Sequence, residues 1–324
     1  MASGCGSSSS PAANNTPSDS EVATSVVSGA LNNSAGSALG FNLLPRRKPL
    51  FFERLRDELN PVKKAYAATW TCTGGSLSPT FGGPSLDPYL FTPLSCSVTF
   101  LNGKTSSSLW SGSFTLDYGS TCDNTHPWVG NQGPGCSVTR TTTSEGNTRT
   151  ITGPNGNSYA VTHDTDGAGT GWDSTVTPVP SDTGVVVTCG ASGCPSSGGT
   201  LAINGSHLTG SVTPSGGTAI PIWDHTVSTA RGPMSFTPSG TRRVLSGAVT
   251  VQHNLAKYTA VATFNDVGYE VGCCFPTSGS VTTTFQNGPY QGDTETLAFS
   301  GVCGEATLTT TSGTMVSLTL LHCL

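Results

Sequence analysis

The chain has 324 residues and a formal net charge of -5, with only 10% of its residues charged where about a quarter is usual. Thr, Ser, Gly and Asn stand where exposed helices would carry Lys and Glu, which excludes a mainly helical body and predicts strands and turns. Residues 1–64 balance at +2 and the remainder at -7, and so acidic a body excludes nucleic acid as a partner.

Ala2-Ser3-Gly4-Cys5, followed by Gly6 and the serines Ser7 to Ser10, resembles the lipid-attachment box of bacterial lipoproteins with a tether behind it. The resemblance implies a signal peptide removed ahead of Cys5 and acylation of that cysteine. Ser20-Glu21 opens an apolar stretch with Val22, Val26 and Val27 and predicts a short helix ending near Gly29. Leu50, Phe51, Phe52, Leu55, Leu59 and Val62 recur at helical spacing, ringed by Arg46, Arg47, Lys48, Arg54, Arg56, Lys63 and Lys64. Such a basic amphipathic helix either lies on an anionic membrane surface or docks on the body as a stalk.

Beyond Trp70 helical periodicity stops, and no apolar run reaches the ~18 residues of a membrane span. Strands are expected at 97–100, 108–118, 137–143, 149–152, 158–163, 185–188, 200–203 and 208–212, separated by Gly, Pro, Ser and Asn. A faint repeat links Ile151 and Trp172 to Ile203 and Trp223 at a spacing near fifty, which would make the two Trp-Asp segments equivalent corners. From Gly232 onward the alternation is plain: Val249 and Val251; Tyr258 to Phe264; Val267 to Val271; Val281 to Phe285; Ala306 and Leu308; Val316 to Leu320. Asn265-Asp266, Pro276-Thr277-Ser278-Gly279, Asn287-Gly288-Pro289 and Ser312-Gly313 read as the turns between them.

Eleven cysteines point to an oxidising compartment. Setting Cys5 aside leaves ten. Proximity pairs Cys72 with Cys96, Cys122 with Cys136 and Cys189 with Cys194; Cys273 and Cys274, facing opposite sides of a strand, would share out Cys303 and Cys323.

Residues that could carry chemistry are few. No nucleophile-elbow, Ser-x-x-Lys, zincin or phosphate-loop motif occurs. His163-Asp164 and Asp224-His225 are strand neighbours that point apart, so neither adjacent pair forms a dyad, and His126, His207 and His253 read as isolated polar or capping residues. Asp164, Asp166 and Asp173 around a Gly-rich turn could present carboxylates to calcium, without the third early ligand and the closing Glu of an EF-hand. Trp110, Trp128, Trp172 and Trp223 could stack on sugar rings or pack as core.

Trp70 to Gly75, Gly153 to Tyr159, His253 to Tyr258 and Cys273 to Ser280 resemble segments of a family of secreted, cysteine-containing, β-rich lipoproteins of deltaproteobacterial type. That resemblance implies an extracytoplasmic location, outer-membrane-anchored, periplasmic or surface-exposed, and a β fold, but no activity.

The expectation is an all-β sandwich or stacked-sheet protein: a tether at 1–19, a basic helical neck at 20–67, a β domain at 68–231 and a C-terminal antiparallel domain at 232–324. Its expected role is that of a lipid-anchored envelope or surface module, structural or adhesive, meeting the membrane through its anchor and a surface glycan or envelope protein through its body. The alternatives are a calcium- or carbohydrate-binding module and a secreted hydrolase.

Overall fold

In the computed structural model the described residues are Asp19, Ser20, 71–74, 77–78, 89–91, 94–99, 105–122, 132–164, 171–173, 184–204, 206–229, 231–239, 242–270 and 275–319. Cys5, the expected lipid-attachment residue, and nearly all of the expected neck lie outside them. The body is antiparallel throughout.

Four long strands organise it: β5 (Thr105–Tyr118), β6 (Ser137–Thr152), β13 (Arg242–His253) and β14 (Tyr258–Glu270). Each carries, partway along, a residue with positive φ: Gly112, Gly146, Gly247 and Asp266. The registers of β5 with β6, of β13 with β14 and of β14 with the next strand, Pro276–Phe285, slip at these points, as at a β-bulge, where an extra residue bends the strand. One strand can then serve two layers.

Shorter strands fill the two layers. The C-terminal half of β6 pairs with β7 (Ser158–Asp164), then come β10 (Ser206–Thr213), β11 (Ile220–Ser228) and the C-terminal half of β13. The N-terminal half of β6 pairs with β8 (Gly184–Cys189), followed by β9 (Gly199–Asn204), β12 (Met234–Ser239) and the N-terminal half of β13. The pairings therefore close on themselves. Inside lie Val138, Val161, Val185, Val187, Leu201, Ile203, Leu208, Val227, Met234, Phe236, Leu245, Val249 and Val251, all buried in one cluster. Thr229 fastens the two layers where they meet, its N–H donating to the Ile203 carbonyl at 2.9 Å.

Beyond β14 the sheet runs on through β15 (Pro276–Phe285), β16 (Thr294–Phe299), β17 (Glu305–Thr309) and β18 (Met315–Thr319). A second small core of Phe275, Leu297 and Ala306 sits under it. On the other side β5 carries β4 (Leu94–Thr99) and β1 (Thr71–Gly74) along its first half, and β3 (Tyr89–Phe91) with β2 (Leu77–Ser78) along its second.

Several expectations change. Asn265-Asp266 is a bulge inside β14 and Pro276 to Gly279 opens β15, so neither is a turn between strands. Residues 137–143 and 149–152 belong to one bent strand. Pairing also crosses the expected boundary at Gly232, since β13 binds both β11 and β12 while β12 binds β9. Trp172 lies in an irregular segment and Trp223 within β11, so the two are not equivalent corners.

Cys122–Cys136 and Cys189–Cys194 are disulfides, each spanning under 5 Å between Cα atoms, at 4.6 and 4.7 Å. The second closes the turn that leads into a four-residue helix, Cys194–Ser197. Cys72 and Cys96 are direct partners in the β1–β4 register, and Cys303 is disulfide-bonded. Cys273, Cys274 and Cys323 lie outside the described residues. These bridges belong to an oxidising, extracytoplasmic environment. No helix among the described residues is long and apolar enough to cross a membrane.

The two bridges close loops of 14 and 5 residues. Their removal as Cys-to-Ala pairs is expected to cost about 3 and about 2 kcal/mol respectively, the longer loop more, by urea unfolding. Gly247→Ala, whose new methyl would meet the Met234 backbone at 2.9 Å from a residue with φ of 133°, should cost about 2–4 kcal/mol in the same assay.

Candidate functional site

Two polar clusters occupy opposite faces of the same strands, β10, β11, β13 and β14. Alternation explains the division: along β11, Asp224 and Thr226 face outward and His225 and Val227 inward.

The inner cluster is a cross-strand row at one end of the closed core. His225 is the direct partner of His253, and His253 of Tyr258. Ring centroids are 4.4 Å apart for the two histidines and 4.8 Å for His253 and Tyr258, with Phe285 and Tyr290 next in line. All three residues of the row are buried. Into this row comes Asp19, itself buried; its Oδ1 accepts a hydrogen bond from the Tyr258 hydroxyl at 3.2 Å and lies 3.4 Å from His225 Nε2. Ser20 beside it bonds Thr283 Oγ1 and Glu295 Oε1 on β15 and β16. Asp19 was expected in a flexible tether; it is instead a fixed part of the body, because a buried carboxylate needs these donors.

Burial, and then the neighbouring His225, pushes the His253 imidazole down to about 4 against the opposing pull of Asp19 and Asp224. Its Nδ1 accepts the Ala256 N–H at 3.1 Å, so it caps the turn that joins β13 to β14. Burial and the nearby Asp19 carboxylate push the Tyr258 phenol upward, which keeps it a donor. At the neighbouring position His163 Nε2 hydrogen-bonds Ser206 Oγ.

The outer cluster is built around Asp224. Its Oδ1 accepts from His207 Nε2 at 2.8 Å and from Asn254 Nδ2 at 2.6 Å. Burial alone would raise this carboxyl, but the bonds from His207 and Asn254 outweigh it and hold it below its ordinary value. Asn254 Nδ2 also reaches Thr226 Oγ1 at 3.1 Å. His207, Thr226, Gln252 and Thr259 are successive direct partners across β10, β11, β13 and β14, hence a second row one residue over from the inner one. Residues 171–173 cover it: Trp172 N–H donates to Asn254 Oδ1, Trp172 Nε1 to the Tyr258 carbonyl, and Asp173 N–H to Gln252 Oε1.

A His-Asp pair does form, then, but diagonally between two strands and not between sequence neighbours. His207 is therefore no isolated residue, and His253 caps a turn and stacks between His225 and Tyr258. No local spacing marks either row; each exists only through the strand register.

The other sequence-derived residues are spread apart. Asp164 ends β7 opposite His207, Asp173 sits over Gln252, and Asp166 lies outside the described residues. Among the described residues no group of three or more His, Cys, Asp or Glu side chains is arranged to hold a metal ion. Trp172 is half-buried with its indole N–H bonded to backbone, so it serves as a clamp on the sheet. Trp110 and Trp223 are placed in β5 and β11, and Trp128 lies outside the described residues. Comparison with protein-family models, with curated proteins and with solved structures finds no match.

Because folding holds His253 neutral well below its unfolded pKa near 6.5, its stabilising contribution is whole above about pH 6.5 and is lost as pH falls toward about 4. Unfolding free energy is expected to drop by about 3 kcal/mol over that window and the drop to shrink in His253→Gln, by denaturant titration at stepped pH.

Proposed function

We propose that this chain is a lipid-anchored protein of the cell envelope, facing the periplasm or the exterior, whose β body plays a structural or adhesive part and does not turn over a substrate. The observation that carries this reading is the docking of Asp19 and Ser20 on the body. Cys5, the expected acylation point, precedes Asp19 by 14 residues, so a fully extended linker would reach at most about 50 Å. The anchor would hold the body close to its membrane.

The same docking changes the role of the basic segment. Asp19 and Ser20 touch the body and stand ahead of Arg46 to Lys64 in the chain, so the basic segment does not lie between Cys5 and this contact. It does not serve as a spacer between anchor and body. Its charge and apolar stripe suit it to lie on anionic headgroups beside the anchor. The disulfides Cys122–Cys136 and Cys189–Cys194 and the unbroken run of pairing from β1 to β18 suit a body that must withstand force or proteolysis outside the cell. The buried, internally bonded inner histidine row suits support better than turnover.

Mass measurement on protein extracted from membranes is expected to find acyl chains on Cys5, and Cys5→Ser to move the protein to the soluble fraction. Recovery of an unacylated Cys5 from the membrane fraction would contradict the reading.

A further inference from the structure

We propose that the outer row makes an intramolecular ester bond between Thr226 and Gln252, joining β11 to β13 with loss of ammonia. This goes beyond the anchoring reading and stands or falls separately from it.

The groups such a reaction needs meet here. Thr226 supplies a hydroxyl and Gln252 a carboxamide; the two are direct cross-strand partners on one face, where Cβ atoms approach to about 4.5–5.5 Å, and both are nearly fully buried. His207 is the direct partner of Thr226 on its other side. With Nε2 bonded to Asp224 Oδ1 at 2.8 Å, its Nδ1 is the nitrogen left to take a proton, and Asp224 fixes the tautomer. Asn254 Nδ2, donating to both Thr226 Oγ1 and Asp224 Oδ1, orients the hydroxyl against the dyad. Asp173 N–H already donates to Gln252 Oε1 at 3.1 Å, the oxygen on which charge grows as the carbonyl is attacked. Gly171 lies so close to the carboxamide that a Cβ there would stand 2.7 Å from both of its polar atoms, so the backbone of residues 171–173 packs directly on Gln252.

The bond changes balance without another reactant. Thr226 Oγ gives its proton to His207 and bonds to Gln252 Cδ; the Cδ–Nε2 bond then breaks as His207 returns the proton to the departing nitrogen, and ammonia leaves. His207 and Asp224, with side chains 22% and 28% exposed, give ammonia a way out, where it is protonated in water and lost. The ester stays behind, shielded from hydrolysis by residues 171–173. Asp224 acts as a positioning residue.

The test is the intact mass of the folded, then disulfide-reduced, full chain carrying Cys5→Ser, which keeps cleavage and acylation at residue 5 out of the mass; the wild type and each variant share that background. The wild type is expected to be lighter than its sequence by one ammonia. Trypsin, which cuts at Arg231, Arg242 and Arg243 between the two residues, should release a linked pair of peptides that mild base separates. Gln252→Glu, nearly isosteric, and Thr226→Val should both return to sequence mass, and Thr226→Ser should keep the link. Asp224→Asn should slow its formation, with Asp224→Glu restoring part of the rate. Wild-type protein at sequence mass would overturn the proposal, as would ammonia loss with the two peptides unlinked.

Discussion

Everything in this molecule depends on strands that bend. A flat strand as long as β6 or β13 would have to lie in one sheet; a bulge in the middle lets its two halves feed different layers, and the chain can then wrap a core without a helix. The cost is concentrated at a few backbone positions. Gly247, at a φ of 133° and too close to Met234 for a side chain, and Asp266, a non-glycine residue in left-handed conformation, are where it is met. Between these corners the short strands β7 to β12 only have to alternate, which Thr- and Val-rich segments do readily.

That design also creates the polar rows. Where β10, β11, β13 and β14 run side by side, every second residue falls in line across four strands. Inside, the line is His225, His253 and Tyr258, closed by a carboxylate brought from residue 19. Outside, it is His207, Thr226, Gln252 and Thr259, covered by residues 171–173. The inner row converts the start of the chain into part of the core end, and it ties stability to pH through a histidine kept neutral by burial. The outer row is partly wet, and its carboxylate is held charged by two donors.

The sequence made the fold class legible, because period-two runs such as Tyr258 to Phe264 and Val281 to Phe285 admit little else. Its errors have two causes, bulges that read as turns and strands with weak alternation. Asn265-Asp266 has the residue types of a turn, and a bulge uses the same backbone conformations, so one bent strand reads as two. β11, with Pro221, Asp224 and His225 interrupting its apolar alternation, and β16, with only Leu297 fully buried, gave too weak a pattern to stand out. Short disulfides were legible, since 14- and 5-residue loops leave few partners within reach. The site was not. His207 and Asp224 are 17 residues apart and meet only because β10 and β11 pair in one register with a bulge at Gly210. Asp19 meets Tyr258 across 239 residues, a contact no local rule anticipates.

The central claim is that β6 and β13, each shared between two layers, make one cooperative unit that runs across Gly232. Native-state hydrogen exchange under mild denaturant addresses it most directly. The account predicts that peptides from β7 to β11, from β8, β9 and β12, and from β13 and β14 lose protection together, with one free energy and one denaturant dependence. Retained protection in residues 242–270 after residues 137–228 have exchanged would show two independent units and contradict it.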